Sequence, residues 1–465
     1  MHTFKEYFTK NLERFVEEWK TFLRFKSISS IPEYSGDCLS CAEWLQVHLR
    51  KIGFQNIELL PTCGKPVVYA HYEGAPGAPR LLYYGHYDVY QINPLVPWKF
   101  GAFEPTLFDG RMYARGAQDN KGQTFFFLKA LETLIAMKLL RCSVTLLVEG
   151  EEETTTSAGL MSLLPTIRDK IKADALIVCD TECKDLQSPS IVLGLRGIIH
   201  FSFRIEGLKS DLHSGAHGGV VKNPGQEMVK LLATLHNNDG SIAVQGFYDG
   251  ITELTSEERE LVNDTSVDMV LYEKDVGVAP IGGEHGKYSF IERRGLRPTL
   301  EINGVYAGYI GPGVKTIIPS YSNAKLTARL VAGQDPATCL AAIEAHIKKY
   351  APQGLTLTLE EQGCGGSGVR INPHSMIVAA GKKVLKSIFK KDPVYSWEGS
   401  SIPVVSELVS NYTSSALLVG FGLEEDRVHA ADESFSLQQL EHGYLYVCAL
   451  LQELSQNTFK PGSQL

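Results

Sequence analysis

Three short apolar runs set the frame of this chain. They are Arg80-Leu81-Leu82-Tyr83-Tyr84, Ser143-Val144-Thr145-Leu146-Leu147-Val148 and Ala175-Leu176-Ile177-Val178. Each is bounded too tightly to make a helix and has the length of a buried strand. Each also runs straight into acids or a histidine: His86, then Glu149 to Glu153, then Asp180. Helical spacing of apolar residues fills the intervals, at 12–25, 39–52, 123–139 and 157–171. Strands that alternate with helices predict an α/β fold with a mostly parallel, doubly wound sheet covered on both faces. Such open sheets bind ligands at the carboxyl ends of their strands, so residues distant in sequence are expected to meet there.

The pattern changes after residue 198. Residues 198–205 alternate as a strand, 224–235 read as a helix with Pro224 in its first turn, and 298–302 and 323–331 read as strands. A helix over 337–350 and a strand over 355–359 complete a β-α-β-β-α-β order, the ferredoxin-like α+β unit. A long insertion, roughly 238–297, interrupts it. Helices at 374–389 and 436–454 and a strand at 415–419 then resume the first pattern. The expected organisation is a discontinuous catalytic domain, 1–198 with 363–465, and an inserted lid or dimerisation domain, 199–362.

Composition narrows the function classes. A formal net charge of -8 without a long basic run argues against a nucleic-acid partner. No apolar stretch reaches membrane-spanning length, and the start of the chain, Met1 to Glu6, lacks the apolar core of a signal peptide. Nine scattered cysteines, an odd number, point to reduced thiols and a cytoplasmic setting.

The acids and histidines suggest metal chemistry, because imidazole and carboxylate suit first-row divalent ions where no thiolate is offered. In His86-Tyr87-Asp88 both polar side chains share a face if the segment is extended, and Asp88 is placed to hold the second ring nitrogen of His86. A plain surface strand end would use His-x-Asp about as readily. Asp119 lies in a glycine-rich polar loop before a helix, where it would bridge two ions or simply cap the helix. Glu152 and Glu153, as extended neighbours, would diverge to different faces, one to bind metal and one to move a proton; the alternative is a solvated acidic run. Asp180 ends an apolar strand, and His429 sits in Arg427-Val428-His429-Ala430-Ala431-Asp432-Glu433.

Taken together, the motifs resemble the dinuclear zinc peptidases and amidohydrolases that include carnosinases, bacterial dipeptidases, aminoacylases and succinyl-diaminopimelate desuccinylase. The resemblance is carried by Gly85 to Val89, Arg115 to Gly122, Glu149 to Glu153, His213-Ser214-Gly215, Lys315 to Pro319 and Glu398 to Pro403, in order along nearly the whole chain. It is strongest to the carnosinase-like dipeptidase branch. One departure is Ser400, where many such enzymes have glycine.

The resemblance implies two divalent ions, zinc or else manganese or cobalt. His86, Asp119 and Asp180 would hold one and Asp119, Glu153 and His429 the other, roughly 3.5–4 Å apart. It makes Glu152 the general base acting on a shared water, with Asp88 behind His86. It further implies a homodimer through the inserted domain, in which His213 stabilises the developing oxyanion in the partner's site. Arg329 is either the fork that binds a substrate carboxylate or a sheet-surface charge. Ser401 either assists it near a helix N-terminus or caps that helix, and Asn323 is a weaker candidate. His217 is read as a loop residue.

The implied activity is metal-dependent hydrolysis of dipeptides or very short peptides with a free C-terminal carboxylate. An N-acyl-amino-acid deacylase on the same scaffold is the first alternative, and a non-catalytic binding protein the second. Cys38 and Cys41 form a lone pair on a helix and do not make a zinc site. The glycines from 304 to 313 match no phosphate-binding fingerprint.

Overall fold

A computed structural model describes residues 1–154, 157–263 and 267–456. In it the three apolar runs become neighbouring strands of one sheet. Arg80–His86 lies between Ser143–Glu149 and Ala175–Val178, and Ala416–Leu418 pairs beyond the last; all four run parallel. Their residues are buried almost without exception, which is why continuous apolar runs rather than alternating ones encode them. Antiparallel strands flank this parallel centre: Val67–Tyr72 and Asn56–Leu60 on one side, Ser190–Leu195 on the other. The sequence reading did not find Asn56–Leu60 and Val67–Tyr72; the first is only partly buried and carries a weak apolar signal.

The helix Lys121–Ala136 packs on the terminal helix Leu437–Gln456 and on His2–Arg24. It is buried on nearly every side, from Lys121 to Leu134. The helix expected over 157–171 is instead three short pieces, Ala158–Leu163, Leu164–Ile167 and Arg168–Ile171. Pro165 explains the break, since it offers no N–H and its ring clashes with the preceding turn. No described helix is long and apolar enough to cross a membrane, and all nine cysteines are free thiols.

The chain divides into two compact units. The first comprises Met1–Leu193, Ile371–Ser396 and the chain from Glu407. The second comprises Gly194–Arg370 with Trp397–Ser406. Its four-stranded antiparallel sheet has the order Thr299–Ala307, Tyr321–Leu330, Gly197–Glu206, Thr356–Cys364, the ferredoxin-like arrangement of the four strands. Ile199, Phe201, Phe203 and Ile205 point alternately inward and pack with Met228 and Leu231 of Pro224–Ala233 and with Ile343 and Ile347 of Pro336–Lys349. The segment 397–406, which the sequence reading grouped with the catalytic domain, joins this unit through hydrogen bonds. Glu398 N donates to Gly194 O at 2.9 Å, Arg196 N to Ser400 O at 3.0 Å, and Arg196 Nε to Gly399 O at 3.1 Å.

Candidate metal centre

Within the first unit, the ends of the parallel strands and the loops that carry Asp119 and His429 bring five of the named residues into two groups that share one side chain. His86 Nε2 lies 3.1 Å from Asp119 Oδ1 and 3.7 Å from Asp180 Oδ2. His429 Nε2 lies 3.0 Å from Asp119 Oδ2 and 3.2 Å from Glu153 Oε1. Each group offers three ligand atoms within 4.8 Å of one another. Asp119 therefore presents one oxygen to each group. His86 is fully buried, whereas the His429 side chain is 44% exposed.

The supports are local. Asp88, buried behind His86, has Oδ1 at 3.2 Å from His86 Nδ1, whose ring also lies 3.1 Å from the Asp88 carbonyl. The same carboxylate accepts from Ser29 Oγ at 2.6 Å and from the backbone N–H groups of Glu152 and Glu153 at 3.3 and 3.0 Å. Those amides are free to point at it because Glu152–Thr154 is a 3₁₀ turn. The extended conformation expected for the Glu152–Glu153 pair is thus replaced by a turn wound on Asp88. Asn120 donates to Asp180 Oδ1 and to Cys179 O, both at 2.6 Å. Its side-chain oxygen accepts from Thr124 Oγ1 at 2.7 Å and from His86 N at 3.3 Å. The peptide bond between Asp119 and Asn120 is cis. Tyr90 stacks on the His429 ring at 4.1 Å, and His429 itself has a left-handed φ of 62°, a conformation uncommon outside glycine.

The electrostatics show too many acids for the cations present. Burial raises Asp180 to about 7, with the Asp119 charge adding to it. Burial and Asp119 likewise raise Glu153 to about 7. Glu152 is pushed well above the usual carboxyl range, first by burial and then by Glu153, Asp180 and Asp119, against the opposing His86. Burial works against charge on the two imidazoles, but hydrogen bonds to Asp119, Asp88 and Glu153 outweigh it; His429 rises to about 10 and His86 is also raised. Crowding of the buried acids thus raises all three above the usual carboxyl range. A divalent ion in either group would offset that crowding of negative charge, and a donor set of imidazole nitrogens and carboxylate oxygens fits zinc, manganese or cobalt.

A third group of potential ligands, Glu18, His48 and Glu132, is different. Lys129, Lys51 and Arg14 already take its carboxylate oxygens at 2.5–3.2 Å, so it is an ion-pair network.

The remaining named residues lie in the second unit. Arg329 Nη1 donates to Ser401 Oγ at 2.7 Å, and Arg329 forms no ion pair among the described residues. Desolvation alone lowers its pKa. Asn323 Oδ1, six residues earlier on the same strand, is buried without a hydrogen-bond partner. His213 ends the short strand Leu212–His213, which pairs with Ile317–Ile318. Its Nδ1 accepts from Gly215 N at 3.0 Å, which leaves Nε2 of the exposed ring to carry a donor proton. His217 is exposed on the short helix Ser214–His217 that follows. Reading the sequence missed Ser29, Tyr90, Asn120 and Glu433; of these Asn120, adjacent to Asp119, and Glu433, four residues after His429, sit in segments that had been singled out.

Comparison with known proteins finds a family and several relatives for the chain as a whole. The model of peptidase family M20/M25/M40 matches residues 82–453. The Cys-Gly metallodipeptidase dug1 of Schizosaccharomyces pombe is 28% identical over 417 residues, covering 87% of this chain and 86% of that protein. The Beta-Ala-His dipeptidase of Rattus norvegicus is 26% identical over 406 residues, covering 85% and 81%. Among solved structures, the M20 family metallo-carboxypeptidase Sso-CP2 from Sulfolobus solfataricus superimposes with a TM-score of 0.85 at 29% identity, over 95% of this chain and 99% of the other. The di-peptidase Dug1p from Saccharomyces cerevisiae has the same fold, with a TM-score of 0.80 at 23% identity over 98% of both chains.

Proposed function

The chain belongs to peptidase family M20/M25/M40, and from that membership we propose that it is a dinuclear metallodipeptidase acting on dipeptides with a free C-terminal carboxylate. The observation that carries this reading is the sharing of Asp119, with one oxygen toward His86 and the other toward His429. His86, Asp119 and Asp180 would hold one ion and Asp119, Glu153 and His429 the other. Two divalent ions, zinc foremost, would supply the Lewis acidity that polarises the scissile carbonyl and acidifies water.

The chain's own groups do the rest. Glu152 takes a proton from water and returns it to the leaving amine. Asp88 holds the His86 ring and the turn that carries Glu152. Arg329, unpaired with any acid among the described residues and bonded to Ser401, receives the substrate carboxylate, and a guanidinium fork suits that task. Asn323 offers a further polar contact. His213, with Nε2–H free to donate, stabilises the oxyanion across a homodimer. The setting is the cytoplasm, in keeping with nine free thiols.

A substrate panel tests the reading. Metal-stripped protein reloaded with zinc, manganese or cobalt should cleave dipeptides faster than N-acetyl or N-succinyl amino acids. Preference for the acyl substrates would favour a deacylase, and the absence of turnover with every metal would sink the enzyme reading. Glu152→Ala should bind both ions and lose about 10²–10⁴-fold in kcat; turnover at the parent rate would remove Glu152 from the mechanism. For the dimer, mixing His213→Ala with Glu152→Ala protomers should restore activity by subunit exchange, and no recovery after verified exchange would count against it.

A further inference from the structure

Glu433 is fully buried, and its carboxylate is saturated by N–H groups of a single loop. Oε2 accepts from Arg115 Nη1 at 2.7 Å and from Gly116 N at 3.0 Å. Oε1 accepts from Gln118 N and from Asp119 N, both at 3.1 Å. Its backbone carbonyl takes a fifth bond, from Ala114 N at 3.0 Å. The loop is thus wrapped around one side chain, and its last contact is the main chain of the residue whose carboxylate faces both ligand groups. Gly116, at φ 82°, makes the turn that lets these N–H groups converge; a Cβ there would lie 2.7 Å from Val89 Cγ1.

Glu433 also stands four residues after His429. The chain leading to it turns through left-handed residues at Arg427, His429 and Asp432, and directly after it Ser434–Ser436 is fixed by pairing with Arg111–Tyr113. A second arm reaches the same histidine. The Arg115 guanidinium, held by Glu433, lies 5.2 Å from the Trp98 ring and 5.9 Å from the Tyr90 ring, and Tyr90 stacks on His429. Asp119 and His429 come from segments more than three hundred residues apart, and Glu433 is the side chain that both segments share.

We propose that Glu433 is a positioning residue that sets the spacing of Asp119 and His429, and so the affinity and geometry of the ion these two hold together. This inference rests on the dinuclear reading above. A buried Arg–Glu pair that merely held the fold would need only Arg115; here half of the carboxylate is spent on the amides of Gln118 and Asp119, next to the ligand atoms. Partners behind metal ligands are worth about 10–100-fold in affinity when removed, and Glu433 stands behind two ligands at once.

The test is metal binding itself. Glu433→Gln keeps the shape but offers one acceptor oxygen and an NH₂ group to four donors, so two N–H groups of the loop must lose their partner. The metal-stripped variant, titrated with cobalt by calorimetry and visible absorption, should bind one of its two ions about 10–100-fold less tightly than the parent and with an altered d–d spectrum. Excess metal should then recover part of kcat while KM stays within about twofold of the parent, a pattern that simple unfolding would not produce. Tyr90→Leu, at a partly exposed position, reads the second arm in a protein whose core is untouched and should weaken the same ion. Parent-like affinity and spectrum in a folded Glu433→Gln protein would overturn the proposal. So would an unfolded Glu433→Gln protein together with parent-like binding in Tyr90→Leu. Failure of the parent chain to bind two ions would instead overturn the dinuclear reading.

Discussion

Replacing Asp88 by asparagine changes one atom and should disturb two parts of the centre. Asp88 Oδ1 faces His86 Nδ1 and Glu152 N, while Oδ2 faces Ser29 Oγ and Glu153 N. The amide of Asp88→Asn can keep its oxygen toward only one pair. The less costly choice leaves oxygen toward His86 and Glu152 N, because the Ser29 hydroxyl can reverse and accept from the new NH₂ group. Glu153 N–H cannot reverse. It is then a donor facing a donor in a buried position, which costs about 1–3 kcal/mol. His86 meanwhile exchanges a charged partner for a neutral one, and losing such a partner weakens metal binding about 10–100-fold. Because the turn that carries Glu152 must move away from the NH₂ group, kcat should fall even at saturating metal, by about 10²-fold for a displacement near 1 Å. Calorimetric titration of the stripped variant, its thermal unfolding without metal, and kcat with excess zinc measure the three effects separately. Ser29→Ala is the control: it removes one of the four groups and leaves the other three bonded, so it should cost only about 1 kcal/mol and little metal affinity. Metal affinity and kcat within twofold of the parent in Asp88→Asn would refute the view that this carboxylate orients both His86 and the Glu152 turn.

Two further outcomes follow from residues away from the ligands. Arg329→Lys loses the fork that matches a carboxylate, so KM for free dipeptides should rise about 10–100-fold while KM for C-terminally amidated dipeptides barely changes; an equal rise for both would show that Arg329 does not read the carboxylate. His48 is buried, stacked on Trp44 at 4.7 Å, and its pKa is lowered to about 3, first by burial and then by Lys129. Its folded pKa lies below its unfolded value, so the stability it contributes is present above about pH 6.5 and is lost as pH falls toward 3. His48→Phe abolishes that titration, and its unfolding free energy should gain on the parent by about 2 kcal/mol between pH 6.5 and 5; a difference independent of pH across that range would show that His48 takes up its proton in the folded state.

What could be read from the sequence was whatever has a period or a motif. The parallel centre was legible because a strand buried on both faces must be apolar throughout, as Ser143–Glu149 is. The second sheet was legible because Ile199, Phe201, Phe203 and Ile205 alternate with residues on the other face. The first of these places His86 and Asp180 at strand ends. Loop conformation has no period. Nothing in Glu151-Glu152-Glu153 distinguishes an extended pair from a 3₁₀ turn, since the choice is made by an acceptor, Asp88, that lies over sixty residues earlier. The break at Pro165 was visible in the sequence but outweighed by helical spacing on either side.

Glu433 exposes the same limit from the side of function. Within Arg427 to Glu433 the histidine attracted attention because imidazole binds metals, while an acid four residues on looked like any solvated side chain. Its role depends on who arrives: five N–H groups from the loop 114–119, including the amide of Asp119. A carboxylate in a low-dielectric interior is stable only when such donors satisfy it, so its burial and the shape of the Asp119 loop explain each other. Ligands declare themselves by chemical type, but the groups that hold ligands at the right spacing are ordinary residues whose meaning is made by the fold. On the dinuclear reading proposed above, the spacing of Asp119 and His429 is the quantity on which an ion held by both would depend, and the experiments on Asp88 and Glu433 ask whether buried acids behind the ligands bear on its chemistry as directly as the ligands do.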